Sequence, residues 1–317
     1  MTLRRYLPLL LLALALPALA AASPTLTSDF DADGTDDLTV YRQGFGIWYI
    51  RKSMDSTSVE VQWGLDGDYP VSGIYTGAAG PDLAVYRPST GWWYIKHWNA
   101  GLTFATESSY QWGGFSGDTP VPCDFDGDGK NEIAIYRDSE GTWYYRESPT
   151  YLTFNTRAWG ASGDIPVPFD YDGDGTCDFA VYSDGTWMVL LSSKDNLQSG
   201  TISWGLAGDI PVPGLYDSDT VVDMAIYREI DGGNSLWGIR ESKVGGLTSQ
   251  ALLWGENGDI PVTLDFDGDG KTDIAVWRPS NGNWYILNSS TSYATSSTVQ
   301  WGLTDDVPVG IRGGEPN

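Results

Sequence analysis

The chain has 317 residues, 42 acidic against 18 basic side chains, one histidine and a formal charge of −24. That charge argues against nucleic acid and against an anionic membrane surface, because both need a basic face. One histidine leaves no His-based metal triad and little for a Ser-His-Asp relay, and neither G-x-S-x-G nor a phosphate-cradling glycine loop occurs.

Residues 1–22 read as a signal peptide. Arg4 and Arg5 precede a Leu/Ala run from Leu7 to Leu16, and Ala18-Leu19-Ala20 offers a cleavage site. The run is too short to favour a permanent membrane helix, and no second one exists. The expectation is an exported chain, extracellular, at the cell surface or periplasmic, with no membrane insertion after cleavage. Losing the leader takes the charge to −26, and residues 23–317 read as a single domain.

That domain is one unit said six times, beginning near residues 29, 74, 124, 170, 215 and 265. The first unit opens on the loop Asp29-Phe30-Asp31-Ala32-Asp33-Gly34-Thr35-Asp36-Asp37. An apolar strand follows and ends Val40-Tyr41-Arg42. After a glycine turn comes a second aromatic strand holding Trp48, then a variable stretch, Trp63-Gly64, and the closing phrase Asp68-Tyr69-Pro70-Val71. The second unit loses the acids of its loop, Ile74 to Asp82, yet stays in register. The third, fourth and sixth repeat the acid loop at Asp124–Glu132, Asp170–Asp178 and Asp265–Asp273, and the fifth carries a partial one from Leu215. Every segment is a short β-branched or aromatic run between turn residues, with no helical period. Four such strands in about 47 residues make one propeller blade. The expected fold is all-β, a six-bladed β-propeller with about four antiparallel strands per blade. No seventh loop follows Asp306-Val307-Pro308-Val309, so strand 307–311 is expected to complete the first blade and remove a free sheet edge.

The acid loop carries the chemistry. Asp265, Asp267 and Asp269 stand at alternate positions, Gly270 permits the turn, the Lys271 carbonyl can add a ligand, and Asp273 closes the set. This is the first half of an EF-hand pattern with its last acid three residues early, and all-oxygen donors favour Ca²⁺ over Mg²⁺, zinc or copper. The matching sets are Asp29, Asp31, Asp33, Thr35 and Asp37; Asp124, Asp126, Asp128, Lys130 and Glu132; and Asp170, Asp172, Asp174, Thr176 and Asp178. About four Ca²⁺ sites are expected. The fifth loop keeps Asp217, Asp219 and Asp223 but has Leu215 and Thr220 in place of Asp and Gly, so weak or no binding is expected there, and loop two should be empty.

Other residues recur too. An Asp precedes x-Pro in each unit (Asp68, Asp118, Asp164, Asp209, Asp259, Asp306), and Arg ends five of the six apolar strands. A salt bridge or turn cap within or between blades is the expected reading, and a ligand pocket between blades the alternative. Trp48, Trp93, Trp143, Trp187, Trp237 and Trp284 recur in register and read as blade packing, whereas Trp92 and Trp98 fall outside the pattern and are candidates for an exposed surface. Cys123 and Cys177 flank neighbouring loops, either as one disulfide or as two buried thiols.

The loop D-x-D-G-D-G-x-x-D followed by I-A-V-Y-R resembles the FG-GAP/VCBS repeats of integrin α-subunit propellers and of many bacterial surface proteins. The resemblance covers essentially the whole mature chain. It implies a propeller with Ca²⁺ at Asp124, Asp126, Asp128, Glu132 and the matching residues of the other intact loops, and roles in adhesion or ligand binding. Some secreted lectins share the architecture. Integrin propellers have one more blade, and the Phe-Gly and Gly-Ala-Pro phrases are not recognisable here, so no partner site transfers. The expected function is an extracellular binding or adhesion module for a glycan or protein, with a self-assembling structural role as the alternative and no enzyme activity.

Overall fold

The computed structural model describes residues 28–99, 102–104, 106–194, 198–242 and 248–310. The leader and Ile311, the last residue of the expected closing strand, lie outside the described residues. Within them the chain forms six four-stranded antiparallel sheets and no α-helix, only three short 3₁₀ turns. No helix among the described residues is long and apolar enough to cross a membrane.

The strands of a blade differ in burial as their sequences require. The second strand, such as Leu83–Arg87 or Ile133–Arg137, has four buried residues in a row, so both of its faces are covered and its sequence is continuously apolar. The third, such as Ile47–Arg51, alternates buried and half-buried residues. The fourth, such as Ser58–Gln62, alternates half-buried and exposed residues, the period-two pattern of a strand with one wet face.

Trp48, Trp93, Trp143, Trp187, Trp237 and Trp284, on the third strands, are fully buried. Each donates its indole N–H to the carbonyl of the Trp-Gly tryptophan that ends its own blade: Trp63, Trp112, Trp159, Trp204, Trp254 and Trp301 in turn. Those six donate onward to the third strand of the next blade, at the carbonyls of Tyr94, Tyr144, Met188, Gly238, Tyr285 and Tyr49. The twelve indoles form a closed relay around the ring, and no buried N–H in it is left unpaired. The glycine after each of these tryptophans has a reason. Gly64 sits at φ +129°, and a Cβ there would lie 2.2 Å from the Tyr41 hydroxyl.

Asp306–Pro308 pairs antiparallel with Leu38–Arg42, and Val309 N–H extends the pairing to the Thr39 carbonyl. The last strand therefore completes the first blade, beginning one residue earlier than the sequence suggests. This offset explains the Asp–Arg recurrence, since the closing phrase of each unit is the first strand of the next blade. Asp306, Asp68, Asp118, Asp209 and Asp259 each hold the Arg of the neighbouring second strand (Arg42, Arg87, Arg137, Arg228 and Arg278) at 2.6–2.7 Å. The bridges lie within blades. In the fourth blade Ser183 replaces Arg, and the Asp164 carboxylate caps Ala161 N–H.

Trp98 departs from the surface role expected of it. It is half-buried against Phe30 and Phe104, and its indole donates to the Phe30 carbonyl. Trp92 is also half-buried, stacked on Tyr94 at 6.1 Å.

Candidate metal centres

Each of the six loops leads into the second strand of its blade, and in blades two to six it comes directly from the first, so all six loops stand at one end of the strands. The first acid of an intact loop shapes the turn. Asp265 accepts the N–H groups of Gly268, Asp269 and Gly270, Asp170 accepts the matching three in its loop, and Asp124 accepts those of Gly127 and Gly129. The fourth and sixth loop positions are then left-handed, with φ of +78° and +84° at Gly127 and Gly129.

The last acid has a different duty. Asp37, Asp82, Glu132, Asp178, Asp223 and Asp273 are all fully buried. One oxygen of each accepts the N–H of the loop's second residue: Phe30, Tyr75, Phe125, Tyr171, Tyr216 and Phe266. The other accepts an N–H from just beyond the third strand: Ser53, Trp98, Ser148, Ser192, Ser242 and Ser289. This carboxylate clasps the loop to the blade whether or not the other acids are present.

Those serines escaped the sequence reading. Ser53, Ser192 and Ser289 also donate Oγ–H to the third alternate acid of their loops, Asp33, Asp174 and Asp269. Ser53 and Ser192 further reach the carbonyls of Thr35 and Thr176, the expected backbone ligands. The signal was in the sequence, as a Ser after every third strand but that of blade two.

Carboxylate oxygens gather within 4.8 Å in four groups: Asp29, Asp31 and Asp33; Asp124, Asp126 and Glu132; Asp170, Asp172 and Asp178; and Asp265, Asp267 and Asp269. They fall in the four loops read as intact, and each group could hold a metal ion. The test of fit is the second acid. Asp31, Asp172 and Asp267 each keep one buried carboxylate oxygen with no hydrogen-bond partner. A buried, unpaired anionic oxygen beside two other carboxylates is costly unless a cation joins it. In the third loop the Asp126 oxygen accepts Asp128 N–H instead, and Glu132 comes into the group. The matching sites would use Asp128, Asp174, Lys130, Thr176 and Lys271 as supports, with the Lys130 and Lys271 ammonium groups paired to Asp128 and Asp269.

Burial first, and neighbouring acids after it, push these carboxyls up: Asp37 and Asp178 to about 7, Glu132 to about 8 and Asp273 to about 6. Asp223 of the partial loop also rises to about 6. One Asp217 oxygen there is buried and unpartnered, but among the described residues no group of three carboxylates forms around it. In loop two the Thr76 hydroxyl donates to Asp82 where the alternate acids would stand, so that loop satisfies itself.

The loops are also stitched to one another. The N–H of the eighth loop residue donates to the first-residue carbonyl of the preceding loop: Asp36 to Asp265, Asn131 to Ile74, Cys177 to Asp124, Val222 to Asp170 and Thr272 to Leu215. Three of these eighth residues also return a side-chain oxygen to that first residue's N–H. Between loops three and four Cys123 and Cys177 form a disulfide, Cα atoms 6.1 Å apart. A disulfide fits an oxidising, extracellular-type environment. Only the link from loop one to loop two differs. Its eighth residue is Pro81, which has no N–H, and the Trp98 indole bridges to Phe30 instead.

Residues 124–181 match the FG-GAP-like repeat family. No curated protein matches the sequence. Among solved structures the chain is similar to BBS1N, crystallised in complex with ARL6DN and soaked with lead, at 15% identity over 84% of this chain and 79% of that one, with a TM-score of 0.47. It is similar to the dihydro-heme d1 dehydrogenase NirN, at 11% identity over 87% and 56% of the two chains, TM-score 0.46. A putative 6-phosphogluconolactonase from Bacteroides fragilis NCTC 9343 matches at 11% identity over 87% and 96%, TM-score 0.44. The family match runs from one acid loop through its strands into the next, and that same unit recurs around all six blades, so the chain is an FG-GAP-repeat β-propeller.

Proposed function

We propose that this protein is an exported binding module, a propeller held by Ca²⁺ at one end of its blades that presents the other end to an extracellular glycan or protein. The observation that carries the calcium part is the buried, unpartnered carboxylate oxygen of Asp31, Asp172 and Asp267, each inside a group of three acids. All-oxygen donors suit Ca²⁺, which accepts irregular geometry, better than Mg²⁺. Asp29, Asp31 and Asp33; Asp124, Asp126 and Glu132; Asp170, Asp172 and Asp178; and Asp265, Asp267 and Asp269 would hold it. The ion supplies positive charge and nothing catalytic; we assign the chain no enzyme activity.

The test is calorimetric. Titrating chelated protein with Ca²⁺ should reveal about four sites, and Ca²⁺ should raise the melting temperature more than Mg²⁺ does. Identical melts with Ca²⁺ and with chelator sink the calcium reading.

A glycan site is offered where two blades meet. Between blades five and six lies a cavity of about 260 Å³, lined by Asn234, Leu253, Trp254, Glu256, Arg278 and Tyr285. Aromatic faces beside polar groups are what a sugar ring needs. A glycan array on Ca²⁺-loaded protein, run beside a sizing measurement, separates this from the structural role: saturable sugar binding by a monomer supports a module, and large assemblies without it support the other.

A further inference from the structure

The end of the blades away from the acid loops carries an apolar arc. It spans the junction of blades six and one, the blade-one hairpin, and the junctions of blades one and two and of blades two and three. Leu303, Phe45, Leu65 and Phe115 occupy these turns in that order, exposed by 57, 68, 57 and 66%. Hydrogen bonds, ion pairs and close backbone approaches link these turns to one another. Leu303 N–H donates to Asp306, which holds Arg42, whose carbonyl accepts Phe45 N–H. The next turns touch backbone to backbone. A Cβ on Gly46 would lie 2.2 Å from the Gly64 carbonyl oxygen, and one on Gly91 would lie 2.3 Å from that of Gly113. Leu65 N–H is capped by Asp68, which holds Arg87, and the Phe115 ring lies 4.2 Å beneath the Arg137 guanidinium.

The charge of the arc is of one sign. Arg42, Arg87 and Arg137 are committed to the buried carboxylates of Asp306, Asp68 and Asp118. Asp66 and Asp305 stand exposed next to Leu65 and Leu303 in the chain, and the exposed Glu140 lies 3.7 Å from Arg137 and accepts the Tyr144 hydroxyl. The described lysines, Lys52, Lys96, Lys130, Lys194 and Lys271, all lie at the acid-loop end of the strands. Large exposed apolar side chains in one patch mark an interaction site. An acidic setting repels anionic lipid, nucleic acid and a second copy of a chain of charge −24.

We propose that this arc docks a cationic polypeptide segment that offers apolar side chains among lysines or arginines. The inference rests on the binding-module reading and narrows it to a protein partner. The apolar groups give affinity by burial, while Asp66, Glu140 and Asp305 give orientation and association rate.

The probe is a synthetic amphipathic peptide of leucine and lysine, titrated into the full, Ca²⁺-loaded chain. Two controls replace its lysines by glutamate or its leucines by serine. The leucine–lysine peptide should bind, and the controls should not. The triple variant Phe45→Ser/Leu65→Ser/Leu303→Ser should weaken it about tenfold or more, with an unchanged melting temperature because all three side chains are exposed. A second variant, Asp66→Asn/Asp305→Asn, should bind more weakly and with less salt dependence. Undiminished binding by the triple variant, equal binding of the serine peptide, or no peptide binding overturns the proposal. So does dimerisation or vesicle binding that the triple variant abolishes. Saturable glycan binding with no peptide binding sinks this surface but leaves the module; failure of both sinks both.

Discussion

Asp82 sits fully buried in a loop that has lost every other acid of the phrase. Its carboxylate still accepts Tyr75 and Trp98 N–H, as its five counterparts accept theirs, so this acid is kept for the fold. The second acid is the opposite case: Asp31, Asp172 and Asp267 each keep a buried oxygen that no hydrogen-bond donor reaches. The two roles predict different outcomes. Asp82→Ala should cost about 2–4 kcal/mol, read as a melting temperature roughly 5–10 °C lower, with or without chelator. Asp267→Asn should leave the melt in chelator unchanged or raise it, and remove one Ca²⁺ from the titration. If Asp267→Asn lowers the chelated melt as much as Asp82→Ala does, the division of labour is wrong. The sequence displayed all four acids of a loop but not this division, because which oxygen meets which N–H depends on a strand end some sixteen residues away (Asp273 to Ser289).

Elements in this protein are joined by repeated links, and the one irregular link tests their value. Pro81 removes a loop-to-loop hydrogen bond, and Trp98, outside the tryptophan register, supplies another from its indole. Trp98→Phe keeps the ring and removes the donor. It should lower the melting temperature by a few degrees, the effect of one buried hydrogen bond of about 1 kcal/mol. Trp92→Phe, whose indole donates to no described partner, is the control. Equal melts for the two variants count against the staple. The in-register tryptophans were legible as packing because their spacing repeats. The role of Trp98 was not, because it answers a missing N–H in another loop.

Across the whole molecule two tests concern the ring. Asp37, Glu132, Asp178 and Asp273 have folded-state pKa values raised to about 6–8 by burial, above an unfolded value near 4. Raised carboxyls give stability that is full below pH about 4 and lost as pH climbs through about 6–8. Ion-free protein should therefore melt at lower temperature at pH 8 than at pH 5, and Ca²⁺ should shrink that difference. A chelated melt that is flat or rising over this range contradicts the assignment. Deleting residues 306–317 removes the first strand of blade one, the Arg42 partner and the ring closure together. It should lower the melting temperature of the entire domain cooperatively; an unchanged melt disproves closure by this strand.

Local chemistry written in register was open to reading from the sequence alone: six blades, four acid loops with a partial fifth and a lost second, and a chain end that completes its beginning. Period-two burial, turn residues and carboxylate spacing are short-range properties, and repetition separates them from chance. Only the tertiary structure decided what joins one unit to the next. The closed relay of twelve indoles, the buried Asp–Arg bridge inside each of five blades, the loop-to-loop stitching and the Trp98 staple all link residues of different units. Such pairings depend on where the ring brings two backbones together, and a linear spacing does not encode that distance.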